Sequence, residues 1–200
     1  RDGVIPEGVT ELEMKAFTAC TQLKTLVLPS TLSVVPKLSI LRCSNLKEFI
    51  VSDDSPYFTT VAGCLLSKDK TEFVRIANSS PIFIATSLGE KTFVMPRQVT
   101  AVGDTAFATS DVNFVMMHEC PVTSIGEGAF AECHYLSQIT LPSSLETIGD
   151  DAFFNDNVLE YIIYDGKIED FRNAPFSQYN EGDEDGNDAF RNAEVRCLVQ

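Results

Sequence analysis

Six cysteines and two histidines are the side chains of this 200-residue chain best suited to act as nucleophile, base or soft metal ligand. The cysteines stand at 20, 43, 64, 120, 133 and 197, and the histidines are His118 and His134. No two cysteines show the CxxC spacing of zinc sites or thioredoxin-like chemistry. His118 falls in an expected turn and His134 directly follows Cys133, so repeat register does not make the two histidines neighbours of each other. A nucleophile, its base and an orienting group therefore do not converge. Glycine-rich phosphate loops and HExxH are also missing. The acidic stretch Asn180–Asp188 places Glu181, Asp183, Asp185 and Gly186 at positions 1, 3, 5 and 6 of a calcium loop. Position 12 falls on Asn192, where a bidentate glutamate is required, so a solvated loop is the expectation. The sequence thus assigns no catalytic residue, no cofactor and no metal, and a non-enzyme is expected.

Charge narrows the partners. The chain carries 15 basic and 29 acidic residues, a formal charge of −14. Nucleic acid is therefore excluded, because its phosphates need clustered Lys and Arg. No apolar run approaches the roughly 18–20 residues of a membrane span, so none is expected in this segment. The opening Gly3-Val4-Ile5-Pro6 already matches the end of a repeat strand, which leads us to expect further sequence upstream.

The elements that must carry these side chains are repeats. Phe17, Phe107, Phe130 and Phe153 each follow an alanine, and the last three stand 23 residues apart. Around them recur Val99-Thr-Ala-Val-Gly-Asp-Thr-Ala-Phe107, Val122-Thr-Ser-Ile-Gly-Glu-Gly-Ala-Phe130 and Leu145-Glu-Thr-Ile-Gly-Asp-Asp-Ala-Phe153. A period of this length is the mark of a solenoid, in which each turn buries its apolar face on its neighbours. Leu23-Lys-Thr-Leu26-Val-Leu28-Pro29 and Leu136-Ser-Gln-Ile139-Thr-Leu141-Pro142 predict short strands with one buried face. The proline, lacking an N–H, ends each strand. A turn and short helix are expected on the opposite side. Cys20, Cys43 and Cys133 share one slot, three residues after Phe17, Ile40 and Phe130, and Ser110 and Asp156 fill it elsewhere. That slot predicts a ladder of buried small side chains. Adjacent turns about 4.8 Å apart bring Cys20 and Cys43 within disulfide range, but parallel side chains seldom meet the required dihedral. Free thiols are the expectation.

The repeat has irregularities. Val112-Asn-Phe-Val115-Met-Met117 begins one residue early, and His118-Glu-Cys-Pro121 restores the register. Regular repeats are expected over about 4–51 and 92–176, with an irregular hairpin insert over 52–91. Within the insert, Cys64–Ala77 reads as two strands around a Ser-Lys-Asp-Lys turn. An acidic loop is expected at 177–188. A closing strand is expected at 195–199, with Val195 and Leu198 repeating the spacing of Val112 and Val115 after Phe190. All of this forms one domain over residues 1–200.

The unit Val-Thr-Ser-Ile-Gly-Glu-Gly-Ala-Phe-Ala-Glu-Cys-x-x-Leu-x-x-Ile-x-Leu-Pro closely resembles the BspA-type leucine-rich repeats of bacterial cell-surface proteins. Gly63-Cys-Leu-Leu-Ser-Lys-Asp69 resembles an element that interrupts such arrays. The resemblance implies a leucine-rich-repeat solenoid: a right-handed, β-rich superhelix of short parallel strands with short helices or turns opposite. It further implies a secreted or cell-surface protein, in some members an adhesin for host matrix proteins or other cells. The partner would be a protein or glycan, and no catalytic residues belong to the family. The surface best placed for binding is the outward strand face, with the columns Thr25, Glu48, Phe114, Gln138, Tyr161 and Val27, Ile50, Met116, Thr140, Ile163. Phe114, Met116, Tyr161 and Ile163 are the candidate ligand-binding residues, since contiguous apolar surface marks interfaces. The alternative is a structural spacer or stalk of a larger envelope protein, with polar side faces.

Overall fold

The computed structural model describes residues 1–81, 83–85, 87–177 and 186–199. Most of the expected acidic loop 177–188, including Glu181, Asp183 and Asp185, lies outside the described residues. The chain divides into two compact units, Arg1–Phe83 and Ile84–Gln200.

The first unit is built from leucine-rich turns of 23 residues. Strands β1 (Asp2–Val4), β3 (Thr25–Leu28) and β5 (Glu48–Val51) form a parallel ladder, with Leu26 opposite Phe49. On another side of each turn the two-residue strands β2 (Phe17–Thr18) and β4 (Ile40–Leu41) pair in parallel. The unit closes in an antiparallel meander of β6 (Phe58–Val61), β7 (Cys64–Ser67) and β8 (Glu72–Arg75). The expected hairpin is present and has one strand more, β6. Its turn forms because Asp69 accepts the Ser67 hydroxyl at 2.7 Å and the Thr71 N–H at 3.1 Å, while Ser67 Oγ accepts the Glu72 N–H.

The second unit repeats the plan with more turns. An antiparallel strand β9 (Ile84–Ala85) leads into β10 (Lys91–Val94), and β12 (Phe114–Met116), β14 (Gln138–Pro142), β16 (Tyr161–Asp165) and β17 (Glu194–Cys197) follow in parallel. A second ladder joins β11 (Ala101–Val102), β13 (Ser124–Ile125) and β15 (Thr147–Ile148). The slipped repeat is compensated as expected. Phe93 pairs with Val115, 22 residues on, Val115 with Ile139, 24 on, and Ile139 with Ile162, 23 on. The closing strand differs from expectation: Val195 pairs with Ile162, and Leu198 is exposed. Helices α1 (Ile168–Asn173) and α2 (Asp188–Asn192), with a 3₁₀ turn at Pro175–Ser177, replace the usual turn there. Because α2 runs almost directly into β17, the arc from Phe190 to its core strand residue is shorter than in the repeats before it.

The core consists of columns one turn apart. Phe107, Phe130, Phe153 and Phe190 stack with ring centroids 4.9, 5.3 and 4.8 Å apart, and the alanines before the first three are fully buried. Offset stacks of this kind add about 0.5–1.5 kcal/mol per pair beyond the area they bury. Each turn is tied to the next through the backbone. Phe107 N–H donates to Ala129 O at 2.7 Å and Phe130 N–H to Ala152 O at 2.8 Å. The last such bond is made by a side chain, with Asn187 Oδ1 accepting the Phe153 N–H at 2.9 Å and Asn187 Nδ2 donating to Gly149 O at 3.1 Å. Asn187 thus stands in for the carbonyl that a further regular turn would supply.

Around the large apolar residue of each regular turn, Phe190 in α2 excepted, the backbone is left-handed twice. Lys15, Leu38, Thr105, Gly128 and Asp151 precede it by two positions with φ between 52° and 62°, and Ala19, Arg42, Thr109, Glu132 and Asn155 follow it by two with φ between 53° and 63°. This is why the expected short helices are turns in the regular repeats: two left-handed residues within five positions break any α-helix. In the second unit the backbones also approach closely. A Cβ on Gly149 would lie 2.7 Å from Glu127 N, and one on Gly126 2.8 Å from the Gly103 carbonyl carbon. The same slot in the first unit holds Glu13 and Pro36.

The cysteine slot is the expected ladder. Cys43, Ser110, Cys133 and Asp156 are buried, Cys20 is half-buried, and all six cysteines are free. The thiols donate to the carbonyl of the turn before: Cys43 to Phe17 O at 3.2 Å and Cys133 to Phe107 O at 3.1 Å. Asp156 Oδ1 accepts the Cys133 N–H at 2.7 Å, while its Oδ2 has no partner among the described residues. Burial pushes the Asp156 carboxyl up to about 8, and the Cys133 N–H offsets only part of that.

Candidate functional site

A parallel sheet built from identical turns sets each outward side chain beside its counterpart about 4.8 Å away. In the second unit two such columns form. One runs Thr92, Phe114, Gln138, Tyr161, Glu194 and the other Val94, Met116, Thr140, Ile163, Arg196. Phe114, Met116, Tyr161 and Ile163 therefore share one strand face in the register expected from the sequence. Each is half-buried. They do not form one unbroken apolar patch. Gln138 separates Phe114 from Tyr161, and Thr140 separates Met116 from Ile163.

Thr140 is sunk into the sheet, 5% exposed, because its hydroxyl oxygen accepts the Met117 N–H at 2.8 Å and the His118 N–H at 3.3 Å. The residues that restore register after the slip fold onto it, and His118 Nδ1 lies 3.4 Å from the same hydroxyl. At the other end the Arg196 guanidinium lies over the Tyr161 ring, 4.0 Å from its centroid, a cation–π contact. Arg196 also pairs with Glu194 through two N–H donors at 2.9 and 3.3 Å, which holds the Glu194 carboxyl below its ordinary range. Sequence reasoning missed Arg196, Glu194 and Val94 as members of this face. Val94 is 45% exposed and pairs with Met116. The signal for it was Lys91-Thr-Phe93-Val-Met95-Pro96, a strand ended by proline, hidden at the edge of the irregular segment.

The first unit presents a smaller outward column of Val4, Val27 and Ile50, in which Val4 and Ile50 are exposed and Val27 is half-buried. Among the described residues of the second unit, two shallow hollows stand out. One, of about 260 Å³, is lined by Leu88, Lys91, Asp111, Asn113 and Tyr135, with Lys91 and Asp111 paired at 2.6 Å. The other, of about 530 Å³, lies among Leu145, Thr147, Tyr164, Asp170 and Asn173. Among the described residues no group of three metal-ligating side chains gathers, and no helix is long and apolar enough to cross a membrane. His134 is exposed, whereas Cys133 beside it is fully buried, with its thiol held well above the ordinary range by desolvation.

Comparison with known proteins agrees with this architecture. The family model of the BspA type leucine rich repeat region matches residues 2–83 and 79–181, in six copies. A leucine-rich repeat protein of Eubacterium ventriosum superposes with a TM-score of 0.66 at 20% identity, covering 83% of this chain and 42% of that one. The pneumococcal vaccine antigen PcpA superposes with a TM-score of 0.63 at 24% identity, covering 79% of this chain and 37% of that one. The chain thus spans less than half the length of these solved relatives, and at such identities the likeness is one of fold. No curated protein matches the chain.

Proposed function

The chain belongs to the BspA-type leucine-rich repeat family, and from that premise we propose that it is a non-enzymatic binding module of a secreted or cell-surface protein. Its partner is a protein or glycan, such as a host matrix component or another cell's surface. The observation that carries this reading is the in-register placement of the half-buried Phe114, Met116, Tyr161 and Ile163 on one strand face. Aromatic side chains contribute most per position in interfaces, which makes Phe114 and Tyr161 the anchors. Gln138 between them supplies a hydrogen-bonding group, and the Glu194–Arg196 pair forms a charged rim, the usual anatomy of a contact patch.

The second reading, a spacer whose faces bind nothing, is favoured by one observation: Arg196 already covers one face of Tyr161. The two readings separate in one experiment. The purified chain and a Phe114→Ser/Tyr161→Ser variant are compared for binding to immobilised matrix proteins, glycan arrays and whole cells, with circular dichroism as the folding control. The binding reading expects the variant to keep its fold and lose at least tenfold in affinity. Equal binding by both proteins, or none by the parent, overturns it in favour of the spacer.

A further inference from the structure

Two thiols of the first unit stand together in a way that no other pair of cysteines does. Cys20 and Cys43 occupy the same slot of successive turns, three residues after Phe17 and Ile40, which are themselves paired in a parallel ladder. The two turns are joined beside this slot, with the Ala19 N–H donating to Leu41 O at 2.9 Å, and the Cys43 thiol reaches back to Phe17 O at 3.2 Å. Adjacent strands about 4.8 Å apart fall inside the 4.4–6.8 Å window of Cα separations that a disulfide spans. Access is one-sided: Cys20 is half-buried and open to reagent, while Cys43 is 3% exposed. In the second unit Cys133 has the same slot but Ser110 and Asp156 as its neighbours, so no second thiol meets it. Cys64 and Cys120 are buried, with burial pushing each thiol up to about 11. Cys197 is half-buried and pairs in register with Tyr164.

We propose that Cys20 and Cys43 are a redox modification site: a dithiol that closes to an intramolecular disulfide by exchange with a small disulfide such as oxidised glutathione. The accessible Cys20 sulfur, as thiolate, attacks one sulfur of the small disulfide. A Cys20–glutathione bond forms, the glutathione disulfide bond breaks, and one glutathione thiol leaves with a proton. The Cys43 thiolate then attacks the Cys20 sulfur and expels the second glutathione thiol. The balance is two protein thiols and one glutathione disulfide giving one protein disulfide and two glutathione thiols, with the protein oxidised and glutathione reduced. The product staples the first two turns of the first unit, where the two thiols otherwise reach backbone carbonyls alone, Cys43 on Phe17 O and Leu41 O and Cys20 on Thr18 O at 3.9 Å.

The test uses the folded chain incubated with reduced or with oxidised glutathione, alkylated, and digested with trypsin without reductant. The expected result is a single disulfide joining peptide 16–24 to peptide 43–47 after oxidation, with four thiols still free in denaturant. In Cys43→Ser the same treatment should stop at Cys20 carrying one glutathione. Six free thiols after oxidation, a stable mixed disulfide on Cys20 in the unmodified chain, or disulfide-linked dimers would each overturn the proposal. The readout on the unmodified chain stands even if the variant fails to fold.

Discussion

In the unit Ile84–Gln200 the large apolar slot of each turn holds Phe107, Phe130, Phe153 and Phe190 as a closed stack of rings, with fully buried alanines beside the first three. In the unit Arg1–Phe83 the same slot holds Phe17, half-buried, and Ile40, with Ala16 exposed and Ser39 in the alanine position. Yet the backbone around the slot is the same in both: left-handed two residues before, left-handed two residues after, and hydrogen-bonded turn to turn. The path of the repeat is therefore set by its inter-turn hydrogen bonds and paired left-handed residues, while the aromatic filling decides how much stability each turn contributes. Solenoid stability is a sum of neighbour terms, so the two units are expected to differ in resistance to unfolding.

The largest test of that comparison is a pair of truncations. Phe130→Ala removes the middle of the stack and should destabilise the second unit by about 3–5 kcal/mol, the range for an aromatic ring taken from a closed core. Phe17→Ala, taken from a half-buried site, should cost less than about 2 kcal/mol. Native-state hydrogen exchange on each variant reads the effect by region. Equal losses from the two truncations would mean that the phenylalanine stack is not what distinguishes the units.

A smaller effect separates the cysteine slot of the two units by pH. In the first unit it holds Cys20 and Cys43; in the second it ends in Asp156, whose carboxyl burial raises to about 8. Unfolded, the same carboxyl titrates near 3.9. Between those values the folded state keeps a proton that the unfolded chain has released, so stability is full below about pH 4 and falls as pH rises to about 8. The loss is on the order of a few kcal/mol and belongs to the second unit. Asp156→Ser, the residue found in this slot at position 110, should flatten the profile and gain stability at pH 8. Urea unfolding at pH 5 and pH 8 checks it, and an unchanged slope in the variant would show that Asp156 is solvated.

What the sequence revealed and what it hid follows from which contacts leave a mark on residue type. The Ala-Phe, Leu-Pro and cysteine columns were legible because burial restricts composition at fixed spacing, and the compensated slip at His118–Pro121 was legible for the same reason. The two-residue ladders such as Ser124–Ile125 and the extra strand Phe58–Val61 were not, since they rest on backbone hydrogen bonds that any residue can make, and the role of Asn187 was not, because its side-chain bonds occur once and outside the repeat. The register of Val195 was misjudged because helix α2 replaces a turn whose length had been constant. At the candidate site, Phe114 and Tyr161 were legible from strand alternation. The burial of Thr140 and the cover of Tyr161 by Arg196 were not, because both depend on where a turn and an edge residue come to rest.

The smallest expected effect tests the part of the comparison that the units share. Ten positions flank the large apolar residue in left-handed conformation, and Gly128 is the only glycine among them. An L-residue pays about 1–2 kcal/mol to sit there, whereas glycine pays little. Against that gain stands the greater freedom of glycine in the unfolded chain, worth about 0.4–1 kcal/mol. Ala19 is the cleanest position for the measurement: φ is 54°, the side chain is exposed, and only a methyl group is lost. Ala19→Gly should therefore stabilise the first unit by up to about 1 kcal/mol, opposite to the usual sign of an alanine-to-glycine change. Gly128→Ala should lose about as much, and somewhat more because the new Cβ would sit 3.3 Å from the Thr105 methyl. Thermal melts of the two variants decide the matter. If Ala19→Gly lowers the melting temperature, the left-handed pair costs the chain nothing, and the backbone path of the repeat is held by its hydrogen bonds alone.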